Sequence, residues 1–411
     1  MRRLRVILLV VMASICRGES PLAHSPAPIG ELVMICPSGR VFESVRVPIE
    51  KFETEHPGWK IRVISSPGRD YYVKTLTLFA AHSPVDVLWL GLGFGMFVER
   101  NILLPIDSYL KADSELNESH FVPPALGMYS ARGRLYGIPY GLDIQAYAIN
   151  EDLLKAGHLP VPDNHWSLAD LLSIGQQASQ VQTGTTHVYG LGMTGIPLGC
   201  EGLTILSADG QTFTLSSAES LNWLERNISL AQQGVLLRSA AMGQLNRLGE
   251  FIAGRVAIME VYSWELEELR RSASFKWKLL PPPLNPQNTQ YAWTSSSGFC
   301  ISARSKNQEM AWELVKALTS ADVQRKWMSL SVPTLKTVNA EYQRELSPNE
   351  AAIREILPLL KPDPRVKNWE KISSEWKYWE DKAFQRELPA AEAQAIATQR
   401  IQRILDADPR P

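Results

Sequence analysis

Short apolar runs alternate with amphipathic segments over the first hundred residues, and this alternation constrains the fold more than any other feature. Apolar runs of strand length lie at 31–36, 59–64 and 85–90, and a segment with helical spacing of apolar residues follows each. The order β-α-β-α-β-α predicts an α/β fold, with a parallel sheet and helices on both faces. Ligands of such sheets bind outside the carboxyl ends of the strands. The loops at those ends are 37–40, 65–72 and 91–95.

The third of these loops reads GLGFG at 91–95 and combines three glycines with apolar side chains. Glycine frees the backbone where the chain turns sharply or another molecule comes close. A plain strand-to-helix turn and a ligand loop both fit this pattern. The third glycine of a dinucleotide-binding fingerprint is missing, so the loop does not indicate a nucleotide cofactor.

Helix-start signals recur along the chain. Ser167 with Asp170, and Ser216 with Glu219, stand at the spacing of a capping box before apolar helical patterns. Asp70 is expected to cap the helix that follows the second strand. These positions predict where three helices begin.

Composition limits the classes of function. The chain has 411 residues, 45% hydrophobic and 21% charged, which is long enough for two domains. The formal net charge is -1, so no basic field indicates nucleic-acid binding. Tryptophan is frequent at 12 residues, and such side chains serve either as core or as flat apolar surfaces for a ligand.

The N-terminus has the shape of a secretory signal. Three arginines precede the short apolar stretch 6–15, and polar residues follow at once. Residues 1–18 are therefore expected to be a signal peptide that directs export to the periplasm or the extracellular face of the membrane. Cys16 stands where a bacterial lipoprotein carries its lipid, but Ile15 replaces the usual small residue before it. Lipid anchoring at Cys16 and ordinary cleavage both remain open.

The other cysteines show no metal-binding spacing. Cys36, Cys200 and Cys300 are an odd number without a CxxC pair, and the histidines form no HxxxH or HxH pair. No metal or other cofactor is expected. Buried free thiols are the default, although a Cys36–Cys300 disulfide stays open because export permits oxidation.

An ordered set of short segments carries a family resemblance. The segments are FETEHP at 52–57, PVDV at 84–87, NILLPID at 101–107, YGIP at 136–139, INED at 149–152, WS at 166–167, FIAGRVAIM at 251–259 and SKNQEMAW at 305–312. Over residues 31 to 406 the chain resembles the extracellular solute-binding proteins of ABC importers, the sugar-binding family that includes maltose-binding protein. Residues 191–210 match no part of that pattern, which leaves the identity of the ligand open.

The resemblance implies a periplasmic-binding-protein type II fold with two α/β lobes. The N-terminal lobe would comprise 31–142 plus 288–332, and the C-terminal lobe 143–287 plus 333–411. The chain would cross the hinge near 141–146, 284–290 and 331–335. The implied function is reversible capture of a sugar or oligosaccharide in the cleft and delivery to an ABC permease, by a monomer without enzymatic activity.

A sugar presents apolar ring faces and a rim of hydroxyl groups. Aromatic rings suit the faces, and short polar side chains suit the rim, because each buried hydroxyl needs a partner. Candidates for such contacts stand at strand-end loops, at the crossings and in the C-terminal helices. They are Ser38, Arg40, Tyr71, Trp89, Leu92, Tyr140, Asp143, Trp264, Trp293, Ser296 and Trp376.

Several of these candidates also fit a structural role. Trp89 also fits a strand core, Trp376 and Trp379 also fit one packed helix face, and Asp143 also fits a brace at the hinge. The resemblance places a sugar-stacking aromatic at Trp264.

Two alternatives to sugar binding stay open. The same fold binds other solutes, such as a polyamine, glycerol phosphate or a metal chelate, and Arg40 and Arg69 suit an anionic ligand. An exported glycan hydrolase would need two carboxylates that face one bond. No GxSxG, HExxH or P-loop motif supports an enzyme.

Overall fold

The computed structural model describes residues 30–123, 125–181, 187–237, 247–362, 366 and 368–407, with the side chain of Arg69 left out. The expected signal peptide 1–18 and Cys16 lie outside these residues. Within them, no helix has the length and apolar character needed to cross a membrane.

Strands and helices alternate along the chain. The strands are β1 (Gly30–Pro37), β2 (Trp59–Ser66), β3 (Val87–Leu90), β4 (Ser130–Ala131), β5 (Arg134–Leu135), β6 (Gly137–Asn150), β7 (Tyr189–Gly192), β8 (Leu236–Leu237), β9 (Val256–Tyr262), β10 (Trp277–Leu280), β11 (Ala292–Ile301), β12 (Val332–Pro333) and β13 (Leu360–Pro362). The helices are α1 (Arg40–Glu55), α2 (Gly68–Ala80), α3 (Phe94–Glu99), α4 (Asp107–Ala112), α5 (Glu151–Ala156), α6 (Leu168–Ala178), α7 (Ala218–Gln232), α8 (Arg247–Ile252), α9 (Leu266–Ser272), α10 (Gln308–Leu318), α11 (Ala321–Trp327), α12 (Lys336–Glu345), α13 (Ile353–Ile356), α14 (Trp369–Phe384) and α15 (Ala390–Asp406).

The first hundred residues form the predicted β-α-β-α-β-α unit. β1 pairs in parallel with β2 on one side and with β3 on the other. Helix α1 buries Val45, Ile49 and Phe52, so the face marked by apolar spacing is the face that packs on the sheet. The prediction of a parallel sheet for this segment is confirmed.

Helix starts agree with the sequence at one position and differ at two. Ser167 and Asp170 form the predicted capping box at α6. At α7 the cap is Ser217, one residue after the predicted position, and its side chain accepts a hydrogen bond from the Ser220 N–H. Helix α2 begins at Gly68, so Asp70 lies in its first turn and the prediction that it is the cap is wrong.

One sheet extends through both halves of the molecule. Its strand order is β2-β1-β3-β11-β6-β9-β7-β8. β11 runs antiparallel to both β3 and β6, and β6 runs antiparallel to β9. The parallel pairs β1–β2, β1–β3, β7–β8 and β7–β9 therefore lie on either side of an antiparallel centre. This centre, made of β6 and β11, joins the two halves.

Three apolar clusters hold these layers together. The first contains Met34 and Phe299, and the second contains Trp166 and Leu191. The third lies between α7 and the last two helices, with Trp376 inside it. Burial of this kind contributes about 25 cal/mol for each Å² of apolar surface removed from water.

The three cysteines within the described ranges are free and buried. Leu88 of β3 pairs with Ile35 on one side and with Cys300 on the other. A whole strand thus separates Cys36 from Cys300, a distance of about 10 Å across two strand spacings. A disulfide needs Cα atoms within about 7 Å, so the Cys36–Cys300 bond left open by the sequence is absent from this structure.

Candidate functional site

Segments that follow strands of the two halves come together at one edge of the sheet, and we call this region the cleft. Arg40 follows β1, and its Nη1 lies 3.5 Å from the carbonyl oxygen of Trp264, which follows β9. The same Nη1 lies 3.4 Å from a carboxylate oxygen of Glu267. Since strand ends are where ligands bind in open α/β sheets, this cleft is the candidate site.

Three aromatic side chains form one wall of the cleft, and we call them the aromatic platform: Tyr262, Trp264 and Trp293. The rings of Tyr262 and Trp264 are stacked, with centroids 4.7 Å apart and an angle of 2° between planes. Trp293 meets Tyr262 edge-on, at 5.6 Å and 84°. Trp264 keeps 41% of its surface exposed, so part of the platform is open to a ligand.

Strand register brings the platform and its polar neighbours to one face of the sheet. Gln145 of β6 is opposite Tyr262 of β9, and its other neighbour across the strands is Trp293 of β11. Asp143, two residues before Gln145, is opposite Ser295. Residues two apart in a strand, and residues paired across antiparallel strands, share a face. These five side chains therefore point to the same side.

Asp143 is the carboxylate at the centre of this face. Ser295 donates its hydroxyl hydrogen to Asp143 Oδ2 at 2.8 Å. Burial raises the pKa of Asp143 from 3.8 to about 6, and the Ser295 hydrogen bond opposes that shift. A desolvated carboxylate at a cleft is a strong acceptor for hydroxyl or amine hydrogens of a ligand.

A buried ionic network lies beside the platform. Glu260 is 4% exposed and accepts hydrogen bonds from Gln145 Nε2 and from the Tyr262 hydroxyl, the latter at 3.0 Å. Arg247 Nη1 lies 3.4 Å from Glu260 Oε2, and its Nη2 lies 3.3 Å from Glu265 Oε1. Burial raises the pKa of Glu265, and Arg247 opposes that effect.

The glycine-rich loop 91–95 and Tyr72 form another wall. The Tyr72 hydroxyl accepts a hydrogen bond from the Gly93 N–H at 3.1 Å. A Cβ on Gly93 would lie 2.7 Å from the Tyr72 ring, so the absence of a side chain permits this contact. Burial raises the pKa of Tyr72, and the nearby carboxylates of Glu370 and Asp143 raise it further. Glu370, at the start of α14, thus belongs to the same wall.

Trp89 and Tyr140 form a pair between β3 and β6. The Trp89 indole N–H donates to the Tyr140 hydroxyl oxygen at 2.9 Å. The Tyr140 ring stacks on Phe299 with centroids 5.4 Å apart, and only 2% of the residue is exposed. Trp89 is partly accessible. Tyr140 therefore holds Trp89 in place and is itself closed to a ligand.

Three other predicted residues lie in the core. Tyr71 is fully buried, and its hydroxyl donates to the backbone carbonyls of residues at the ends of β1 and β3. Ser296 points to the sheet face opposite Asp143 and donates to the Gly141 carbonyl at 2.9 Å. Trp376 is 5% exposed and packs against Trp223 in the third cluster. None of these three presents a group to the cleft, and Tyr140 is closed to a ligand as described above. We therefore remove four residues from the candidate contacts: Tyr71, Tyr140, Ser296 and Trp376.

The remaining predicted residues are accessible. Ser38 is exposed in the loop after β1, Arg40 is exposed at the start of α1, and Leu92 is 60% exposed in the glycine-rich loop. Trp379, the alternative to Trp376, donates its indole N–H to Glu375 on its own helix.

The sequence reasoning missed several residues of the site. Tyr262 is two residues before Trp264, and strand alternation was a usable signal for it. Tyr72 is next to the chosen Tyr71, on the accessible side of α2. Gln145, Glu260 and Arg247 come together only through strand pairing, and no local pattern marks them. In the described part of the chain, no group of three or more His, Cys, Asp or Glu side chains is arranged to hold a metal ion.

Comparison with known proteins decides the family. Residues 49–350, well over half of the chain, match the family model described as bacterial extracellular solute-binding protein. The chain belongs to this family. No curated protein matches it in sequence.

Solved structures show the same fold. An ABC substrate-binding protein from Listeria monocytogenes in complex with cycloalternan superposes with a TM-score of 0.80 at 19% identity, covering 92% of this chain and 99% of that one. The GacH receptor of Streptomyces glaucescens, solved unliganded and with acarbose, gives 0.78 at 20% identity, covering 92% and 98%. Maltose-bound MalE3 of T. maritima gives 0.75 at 19% identity, covering 91% and 100%.

These similarities confirm the predicted architecture. This member of the extracellular solute-binding family has the type II periplasmic-binding fold, and its structural neighbours are maltose-binding-protein-like sugar-binding proteins. Family membership also implies an exported protein.

Proposed function

We propose that this protein captures a sugar or oligosaccharide in the cleft and delivers it to an ABC permease without chemical conversion. The observation that carries the proposal is the stacked Tyr262–Trp264 pair, because a flat, partly exposed indole suits the apolar face of a sugar ring. Neighbours of the same fold hold cycloalternan, acarbose and maltose. The fold is shared and the ligands are carbohydrates, which favours the same ligand class here.

The proposed contacts divide between ring faces and hydroxyl groups. Trp264 and Trp293 would cover the apolar face of a sugar, with Trp89 and Leu92 from the opposite wall. Asp143 and Ser295 would take hydroxyl groups, together with Ser38 and Arg40 at the rim. Each hydroxyl that finds a partner avoids a desolvation cost of about 1–3 kcal/mol.

The lobes and their hinge form the second part of the proposal. We assign 31–142 plus 288–332 to the N-terminal lobe and 143–287 plus 333–411 to the C-terminal lobe. The crossings would lie near 141–146, 284–290 and 331–335, where β6, the loop before β11, and β12 run. A ligand that contacts both lobes favours the closed state, which a permease can distinguish from the open one.

Export and assembly complete the proposal. The N-terminal signal and the family favour a location in the periplasm or on the outer face of the membrane, as a monomer, with a lipid anchor at Cys16 as one form of retention. The permease is the expected protein partner, and the net charge of -1 gives no reason to expect a nucleic acid.

A thermal-shift screen of protein lacking residues 1–18 tests the ligand class. The panel would contain maltose, mannobiose, acarbose, cycloalternan and tagatose, with spermidine, glycerol phosphate and a ferric chelate as non-sugar solutes. We expect a sugar to raise the melting temperature, because a ligand that binds only the folded state stabilises it. A shift only with a non-sugar solute would reject the sugar assignment, and release of reducing ends from an oligosaccharide would reject a binding-only function.

Two variants localise the binding. Trp264→Ala should weaken binding of the best sugar about 30-fold, because loss of a central aromatic contact costs roughly 2 kcal/mol. Tyr378→Ala is the matched control, since Tyr378 is an exposed aromatic, at 52%, and its ring contacts are with Trp379 and Lys382 on its own helix. Equal affinity of the two variants would contradict the proposed site.

A further inference from the structure

Glu260 is connected to the residues of the aromatic platform through hydrogen bonds. Its carboxylate accepts hydrogen bonds from the Tyr262 hydroxyl at 3.0 Å and from Gln145 Nε2. The Gln145 side-chain oxygen in turn accepts the Trp293 backbone N–H at 3.1 Å. Two of the three platform residues are thus tied to one carboxylate, and the third, Trp264, stacks on Tyr262.

Arg247 compensates the negative charge of this buried carboxylate. Its guanidinium bridges Glu260 and Glu265 and lies 5.8 Å from the centroid of the Tyr262 ring. Glu265 accepts the Tyr262 backbone N–H at 2.9 Å, at the turn that leads to Trp264. The network therefore contacts both the ring and the backbone of the stacked pair.

Stability alone is a poor explanation for such a network. Buried ion pairs lose so much hydration that apolar replacements of similar size are often as stable or more stable. A network of this kind does restrict the side chains that it contacts to one arrangement. The residues restricted here are those whose orientation would decide how a ring stacks.

We propose that Glu260 is a positioning residue that sets the orientation of Tyr262 and, through it, of Trp264. The platform is then a preorganised surface that accepts a ring in one orientation and discriminates between sugars of different shape. This inference rests on the proposed function for its ligand, but its structural part concerns the unliganded protein alone.

The first test measures the stacked pair without ligand. Coupled aromatic rings give a circular dichroism signal, and the difference between wild type and Trp264→Ala isolates the signal of this pair. Glu260→Gln keeps the shape of the side chain without its charge, and Arg247→Met removes the partner of that charge. Both variants keep the Tyr262 and Trp264 chromophores, so a change in the pair signal reports a change in their orientation. We expect both variants to lose at least half of the pair signal, and retention of the full signal in either folded variant would overturn the proposal.

Tyr147→Phe is the matched control. Tyr147 is a fully buried tyrosine on β6, opposite Glu260 in register, and its hydroxyl contacts the Cys200 sulfur at 3.2 Å. The change removes a buried hydroxyl near the platform without removing a hydrogen bond to Glu260. We expect a lower melting temperature and an unchanged pair signal. A loss as large as that of Glu260→Gln would show that the signal reports general loosening and would overturn the positioning role.

The second test measures binding of maltose, mannobiose and cycloalternan by titration calorimetry. We expect Tyr262→Phe to lower the affinity for the best of these sugars about tenfold and to reduce the preference for it over the others. Tyr147→Phe should leave both quantities unchanged. Wild-type affinity in Tyr262→Phe would overturn the inference. If wild type binds none of the sugars, the proposed function fails while the spectroscopic test still decides the positioning role.

Discussion

Replacement of Asp143 by asparagine should make the unliganded protein more stable. Burial raises the pKa of this carboxyl from 3.8 to about 6, so the charged form is held at a cost in the folded state. The free-energy equivalent of that change is about 3 kcal/mol. Asparagine removes the charge and keeps an oxygen that can accept the Ser295 hydroxyl. We therefore expect Asp143→Asn to raise the free energy of unfolding at neutral pH by up to about 3 kcal/mol.

The stability gained by Asp143→Asn should increase as the pH rises. Between pH 3.8 and about 6 the folded protein binds more protons at Asp143 than the unfolded chain does. Stability of the wild type therefore falls as pH rises through this window, and the full cost is present above about pH 6. Below the unfolded pKa of 3.8 the side chain is neutral in both states, so variant and wild type should converge there.

Urea unfolding at a series of pH values measures this difference. The refuting result is a variant that is no more stable than wild type at about pH 7.5, or a difference that does not shrink towards about pH 4. In a sugar titration, the more stable Asp143→Asn variant should bind more weakly than wild type. This is expected where a binding site keeps a charge that destabilises the folded protein but contacts the ligand.

Asp113→Asn is the control with the opposite sign. The pKa of Asp113 is lowered to about 2, although burial opposes this shift. The lowering comes from hydrogen bonds donated by Lys316 and by the N–H groups of Glu115, Leu116 and Trp312. Its folded-state pKa lies below the unfolded value, so it contributes stability above pH 3.8 that is lost as pH falls towards about 2. We expect Asp113→Asn to destabilise the protein at neutral pH, in the same assay in which Asp143→Asn stabilises it.

Three further predictions concern the cleft mouth, the sheet and the thiols. Glu267→Lys should weaken sugar binding about fivefold at most at low salt, because it faces Arg40 at an exposed pair, and the loss should shrink at high salt; a loss that salt does not change would contradict this contact. Gly190→Ala should lower the free energy of urea unfolding by about 3 kcal/mol, because its Cβ would lie 1.8 Å from the Gly175 carbonyl oxygen; near-wild-type stability would contradict that close approach. In protein lacking residues 1–18, Ellman's reagent should detect no thiol in the folded state and all of them in denaturant. The three cysteines of that protein, Cys36, Cys200 and Cys300, are buried, and burial raises the pKa of Cys36 to about 12. A thiol that reacts in the folded protein would contradict this burial.

The order of elements in the first half of the molecule was predictable because its information is local. Apolar spacing marks the buried face of α1, and short apolar runs mark β1 to β3. The position of β11 was not predictable, because this strand inserts between β3 and β6 by antiparallel pairing over a long sequence separation. That insertion is what brings Ser295 opposite Asp143.

The predicted contacts that the structure buries differ from accessible ones by one position in the sequence or by the face of an element. Alternation in β11 separates Ser295 from Ser296 by face, but a sequence pattern does not say which face is the core. Tyr71 and Tyr72 differ by one helical position, and only the packing of α2 on the sheet decides that Tyr71 is buried. The sequence left Trp376 open between the cleft and a packed helix face, because its partners on α7 lie some 150 residues earlier in the chain.

The antiparallel centre of the sheet has a mechanical consequence. β6 and β11 join the two halves, and they also carry Asp143 and Ser295. In the lobe motion that we propose, the strands at the hinge therefore also carry ligand contacts. A change in the angle between the lobes would move these groups relative to the indole of Trp264, so a bound sugar would lose its polar and its apolar contacts in one step.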